Sequence, residues 1–127
     1  MTSFNIADLY ESLADAIPDR PVLVSGDIRY SFKELDEQAN RVANALKARG
    51  IGHGDHVGLH LYNGHEFVEA MLALFKLRAV GINLNYRYVA DELRYLCENA
   101  DLKGVFTQRS LFPELAPAIE GVDHVKW

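Results

Sequence analysis

The stretch His56-Val57-Gly58-Leu59-His60-Leu61-Tyr62-Asn63-Gly64-His65-Glu66-Phe67, with the apolar run that continues to Leu77, decides the fold. From His56 to Tyr62 the residues alternate, with Val57, Leu59 and Leu61 on one face and His56, Gly58, His60 and Tyr62 on the other. A period of two is that of a strand. Asn63 to Glu66 offers a helix cap, and Phe67 to Leu77 is apolar on most sides, the pattern of a buried helix. Val80 to Leu84 is a second strand-like run. A strand, a helix and another strand in succession form a βαβ unit, whose strands run parallel.

The flanking sequence extends this unit in both directions. Upstream, Ile6, Leu9, Tyr10 and Leu13 recur at helical spacing over Ile6 to Ala16, and Pro18 stops the helix. Two short β-rich runs, 21–25 and 28–31, flank Gly26-Asp27 and predict a hairpin over 21–31. Ser31-Phe32-Lys33-Glu34 has the form of a capping box. Behind it Leu35, Ala39, Val42, Ala43 and Leu46 make one apolar stripe, and Gly50 is placed to end the helix in the left-handed conformation. Downstream, Asp91 starts a helix carrying Leu93, Leu96 and Cys97, which fades at Asn99-Ala100-Asp101. Gly104 to Thr107 reads as a strand, Leu111 to Ile119 as a broken helical piece with Pro113 and Pro117, and His124 to Trp127 as the start of a strand. The alternation over 31–127 predicts an α/β fold, a mostly parallel sheet with helices on both faces. Since the sequence stops inside an apolar strand pattern, the expectation is a truncated part of a larger domain.

Composition removes several function classes. A net charge of −5 with scattered Lys and Arg does not suit nucleic acid, which needs a clustered excess of positive charge. No apolar stretch is long enough for a transmembrane segment, and Met1-Thr2-Ser3-Phe4 does not open like a signal peptide, so the cytoplasm is the expected compartment. Cys97 is the one cysteine and is expected to be a reduced, partly buried thiol.

The candidate motifs read mostly as structure. Gly50-Ile51-Gly52-His53-Gly54 follows a helix and opens a strand, the reverse of a phosphate-binding loop, and is expected to be a turn. His53, His56, His60 and His65 fall close together, but His56 and His60 would stand roughly 13 Å apart at about 3.3 Å per residue. No shared metal is expected. Asp91-Glu92 and Glu34-Asp36-Glu37 belong to helix surfaces or first turns, where the dipole favours acids. No nucleophile elbow, phosphate-binding Gly-Lys-Ser/Thr loop or His-Glu-x-x-His pair is present, and no catalytic residue is assigned.

The order of segments carries a resemblance. Tyr30-Ser31-Phe32-Lys33-Glu34-Leu35, Gly50 to Val57, Asn63-Gly64-His65-Glu66-Phe67, Lys76 to Arg87 and Asp101 to Thr107 resemble, in order and spacing, blocks of the adenylate-forming (AMP-binding) superfamily. Leu77 to Leu96 is most similar to acyl-CoA synthetases acting on fatty or sterol-derived acids. Three positions depart from the family pattern. Arg78 stands where glycine is common, Asn83 where many relatives carry proline, and Tyr62 in place of a frequent proline.

The resemblance implies that residues 1–127 are the N-terminal part of the large AMP-binding domain of an acid–CoA ligase. Such enzymes use ATP, Mg2+ and CoA to join a carboxylic acid to CoA through an acyl-adenylate. The phosphate loop, adenine-binding segment, ribose-binding aspartate and catalytic lysine of the family lie beyond the matched blocks. This chain alone is therefore expected to be inactive and to bind none of these cofactors, with the remainder of the enzyme as its partner. A homodimer is left open. Arg87, with Asn85 beside it, matches a position that in some CoA ligases contacts the nucleotide phosphates of CoA; the alternative is a surface or loop-stapling arginine. The helix from Phe67 is expected to be core, or else a wall of the acyl pocket. Two rival readings remain: a stand-alone non-catalytic module binding a nucleotide-containing ligand or a protein, and a flavodoxin-like binding domain.

Overall fold

The computed structural model describes residues 5–125. In chain order the elements are α1 (Ile6–Ala16), β1 (Pro21–Ser25), β2 (Ile28–Ser31), α2 (Phe32–Ala48), β3 (His56–His60), α3 (His65–Lys76), β4 (Val80–Asn83), α4 (Ala90–Asn99), β5 (Gly104–Thr107) and α5 (Phe112–Ile119). Strands β3, β4 and β5 form a parallel sheet in the order β4-β3-β5, and β1 and β2 pair separately as an antiparallel ribbon.

That order explains the layering. The chain steps from β3 to β4 in one direction, then returns across β3 to β5 in the other. Right-handed crossovers made in opposite directions put their helices on opposite faces. Ala43 and Leu46 of α2 and Ala70, Ala73 and Leu74 of α3 pack with Val57 and Leu59 on one face. Leu93 and Cys97 of α4 and Leu115 and Ala118 of α5 pack with Leu84, Leu102 and Val105 on the other. The chain forms the expected α/β arrangement with helices on both faces. β3 is central, so its second face is interior too. A Cβ on Gly58 would meet Leu84 Cδ1 at 2.9 Å and Leu102 Cδ1 at 3.0 Å, leaving no room for a larger residue.

Local signals set several boundaries. Ser31 Oγ accepts from the Glu34 amide at 3.2 Å, and Glu34 Oε1 accepts from the Ser31 amide at 2.9 Å, which starts α2. Gly50, at φ 87°, ends the connection after α2 in the left-handed region. Gly26, at φ 59°, turns the hairpin. α1 seats Ala7 and Ala14 inward, and the Tyr10 hydroxyl donates to the Phe32 carbonyl at 2.6 Å. Ile6, Leu9 and Leu13, which mark this helix in the sequence, stay 59, 48 and 46% exposed.

Three local expectations are corrected. Asn63 does not cap α3; Gly64 occupies that position, with no side-chain cap bond. The piece from Leu111 to Ile119 is one helix rather than a broken one. Pro113 falls in its first turn, where no amide partner is needed, and Pro117 is accommodated inside. The strand expected over His124 to Trp127 does not begin where predicted, since His124 lies in a turn. Lys126 and Trp127 lie outside the described residues.

Candidate functional site

In an open parallel sheet, ligands gather at the carboxyl ends of the strands, where successive loops leave for opposite faces. Here the loop after β3 leads to α3 on one face, and the loop after β5 leads to α5 on the other. Between them lies a cleft of about 390 Å³ lined by Leu61, Glu66, Glu69, Thr107, Gln108 and Arg109, among others. The loop after β4 carries Asn85, Tyr86 and Arg87.

The three loops are tied together. The Tyr62 amide donates to Gln108 Oε1 at 2.6 Å, joining the loops after β3 and β5. The Tyr62 and Tyr86 rings meet with centroids 4.8 Å apart at 52°, joining the loops after β3 and β4. The Arg87 guanidinium lies 5.6 Å from the centre of the Tyr86 ring, within range of a cation–π contact. Asn85 Oδ1 accepts from the Arg87 amide at 2.9 Å, and the Asn85 carbonyl accepts from the Tyr88 amide at 3.0 Å, folding 85–88 into a tight turn. Arg87 is exposed, and among the described residues its guanidinium makes no ion pair. A guanidinium so placed is an always-charged fork of donors, the chemistry to pair with an anion rather than to make or break bonds.

The glycine-rich segment 50–54 sits at the opposite, amino end of β3. Asp55 Oδ2 accepts from the Gly52 amide at 2.8 Å and from Lys103 Nζ at 3.2 Å, and the backbone bond with the Lys103 ion pair holds the Asp55 carboxyl below its usual pKa. The segment is a connecting turn.

The histidines do not converge. His56 Nδ1 is 2.7 Å from the Ala100 carbonyl, and His65 pairs with Glu66 at 2.7 Å and Glu69 at 3.3 Å. His60 differs from a surface residue: it is fully buried at the end of β3, with Nδ1 3.0 Å from Thr107 Oγ1 and Nε2 without a partner. Burial pushes its pKa down, and the Glu114 charge only partly opposes this. Cys97 is also fully buried, and burial, aided by the Glu98 charge, pushes its thiol pKa up. An inert structural thiol follows.

α3 has two roles in packing. Ala70, Ala73 and Leu74 enter the sheet core. Phe67, Met71 and Phe75 line a cavity of about 340 Å³, which Ile6, Tyr10 and Leu23 close from α1 and the hairpin.

The departures from the family pattern have structural explanations. Arg78 adopts φ 59°, a conformation glycine reaches without strain. Its side chain is engaged, with Nη2 2.7 Å from Asp8 Oδ1 and Nη1 bonded to the Phe75 and Lys76 carbonyls at 3.5 and 3.2 Å. Asn83 ends edge strand β4. The amides of Val80 and Leu84 donate toward β3, so that of Asn83 points to the open side, where proline is tolerated. Tyr62 uses the amide that a proline lacks. Sequence reasoning left Gln108 unnoticed, since a lone glutamine after a strand carries no signal of its own.

A family model described as AMP-binding enzyme matches residues 10–127. The medium/long-chain-fatty-acid–CoA/3-oxocholest-4-en-26-oate–CoA ligase of Mycobacterium marinum is 42% identical over 124 residues, which cover 98% of this chain and 22% of that protein. The 3-oxocholest-4-en-26-oate–CoA ligase of Rhodococcus rhodochrous is 40% identical with the same coverage. Among solved structures, the fatty acyl CoA synthetase of Mycobacterium tuberculosis superposes with a TM-score of 0.86 at 29% identity, over 92% of this chain and 24% of that one. The chain thus spans about a fifth of the length of the curated relatives it matches. No helix among the described residues is long and apolar enough to cross a membrane. By its family match over residues 10–127, and consistently with its fold, this chain belongs to the AMP-binding enzymes.

Proposed function

We propose that the protein carrying this chain condenses a fatty or sterol-derived carboxylic acid with ATP, releasing pyrophosphate and forming an acyl-adenylate. The thiol of CoA then takes the acyl group and AMP leaves. Supporting this reading are two relatives at 40% identity or more whose names describe that class of acid. Residues 1–127 supply the N-terminal part of the large AMP-binding domain, with the hairpin 21–31 set before the alternating units of 31–127. The groups that handle ATP and Mg2+ come from the remaining polypeptide, and these 127 residues adenylate nothing by themselves.

CoA fits this chain at one point. The exposed, unpaired guanidinium of Arg87, on the loop after β4, is the observation that carries the assignment. Bound CoA supplies the accepting thiol; Arg87 grips a phosphate of its nucleotide end. Asn85 uses its Oδ1 to hold the Arg87 backbone, which leaves its amide nitrogen as the group able to donate to the same phosphate.

In the complete enzyme, Arg87→Ala should raise KM for CoA about tenfold, the scale of one charge-assisted contact. The change in acid-dependent ATP–pyrophosphate exchange should be much smaller. Equal loss in both half-reactions rejects the CoA contact, and robust exchange by the 127 residues alone overturns the division of labour.

A further inference from the structure

Resting on the CoA-phosphate reading of Arg87, we infer that Tyr62 and Gln108 are positioning residues for that arginine. Arg87 sits on a short exposed turn. Asn85 fixes its backbone but not its side chain. A long side chain on such a turn samples many rotamers, and binding a phosphate must first restrict them. The Tyr86 ring lies under the guanidinium at 5.6 Å and favours one direction.

Tyr86 itself needs support, because a ring at a loop tip can swing. Its neighbour is Tyr62, from a different loop, at 4.8 Å between centroids. The bond from the Tyr62 amide to Gln108 Oε1, at 2.6 Å, fixes Tyr62 in turn. The relay therefore runs Gln108–Tyr62–Tyr86–Arg87 across the ends of β5, β3 and β4. Tyr62 is 43% exposed and contributes little to the core, so its placement serves the loops more than the packing of the domain. Proline at this position would remove both the donor and the ring.

The test uses the complete enzyme with Tyr62→Ala, Tyr62→Phe, Gln108→Leu and Arg87→Ala, each checked for an unchanged melting temperature. Loss of the stacked support should raise KM for CoA about two- to fivefold in Tyr62→Ala. Gln108→Leu, which leaves both rings intact, should move KM in the same direction. Tyr62→Phe keeps the ring and the amide and should restore the parent KM. The double variant Tyr62→Ala/Arg87→Ala should be no worse than Arg87→Ala alone. Should Arg87→Ala raise KM while Tyr62→Ala and Gln108→Leu leave it unchanged, the relay is wrong and the CoA contact stands. A KM unmoved by Arg87→Ala overturns both. Equal damage from Tyr62→Phe and Tyr62→Ala assigns the effect to the hydroxyl and also rejects the relay.

Discussion

Arg78 Nη2 lies 2.7 Å from Asp8 Oδ1, across the gap between the end of α3 and the first turn of α1. The same arginine holds φ at 59°, in the left-handed region that residues with a Cβ avoid. Its side chain offsets the backbone cost by joining α1 to α3 and by capping two carbonyls of α3. A glycine would meet the same backbone demand without strain but could not make these contacts.

These opposing effects predict an unusual order of stability. Arg78→Ala loses the ion pair and both cap bonds but keeps the strained backbone. Arg78→Gly loses the same contacts and relieves the strain. Chemical denaturation should find the alanine variant less stable than the glycine variant by about 1 kcal/mol, the reverse of the helix-interior ranking. Alanine equal to or better than glycine would mean that φ at 78 is not a constraint.

Lys76 joins the same helices from inside. Its side chain is only 7% exposed, and Nζ lies 2.7 Å from both Glu11 of α1 and Asp36 of α2. Burial by itself would lower the ammonium pKa, but the hydrogen bonds to Asp36 and Glu11 outweigh it and raise the value. Lys76→Met keeps the apolar stem and leaves two carboxylates facing each other. Since both acids are partly solvated, the loss should be about 2 kcal/mol, below the scale for a fully buried pair. A folded pKa above the unfolded one gives stability that is complete below the unfolded value, near pH 10.5, and lost as the pH rises through the folded value. Denaturation profiles toward alkaline pH should show that loss in the parent and not in Lys76→Met.

What could be read from the sequence depended on the range of the interaction. Ser31 and Glu34 are three residues apart, and their reciprocal bonds are written into the local motif. Gly50 likewise announces its conformation through its place after an apolar stripe. His60 was different. Alternation placed it on a second strand face, but helices far along the chain, α4 and α5, cover that face, and its hydrogen-bond partner Thr107 lies forty-seven residues away. The spacing in α1 was enough to place the helix at Ile6–Ala16 but not its inward side: Ile6, Leu9 and Leu13 stay exposed, and the face toward α2 and α3 admits the smaller Ala7 and Ala14. Arg87 was visible through family resemblance alone, and Gln108 through neither route, because its partner Tyr62 lies forty-six residues upstream.

His60 offers the last test, since it is fully buried at the end of β3 with one ring nitrogen unpartnered. A fully buried imidazole with an unpartnered Nε2 resists protonation, and its pKa falls on folding. Below about pH 6.5 the unfolded chain binds a proton that the folded chain refuses, so stability falls as the pH drops through that value. The slope from one such group reaches at most about 1.4 kcal/mol per pH unit. His60→Leu fills most of the same space, ends the solitary Nε2 and cannot titrate. Denaturant midpoints at pH 7.5 and 5.5 should show the parent losing more stability than the variant over this interval. Every other residue is common to both proteins, so the difference isolates position 60. Glu114, the acidic group that acts on His60, softens the effect, so Glu114→Gln should steepen the parent's acid-side loss. Parallel pH profiles for the parent and His60→Leu would show that the imidazole protonates as freely in the fold as outside it, and the burial argument for β3 would fall with that result.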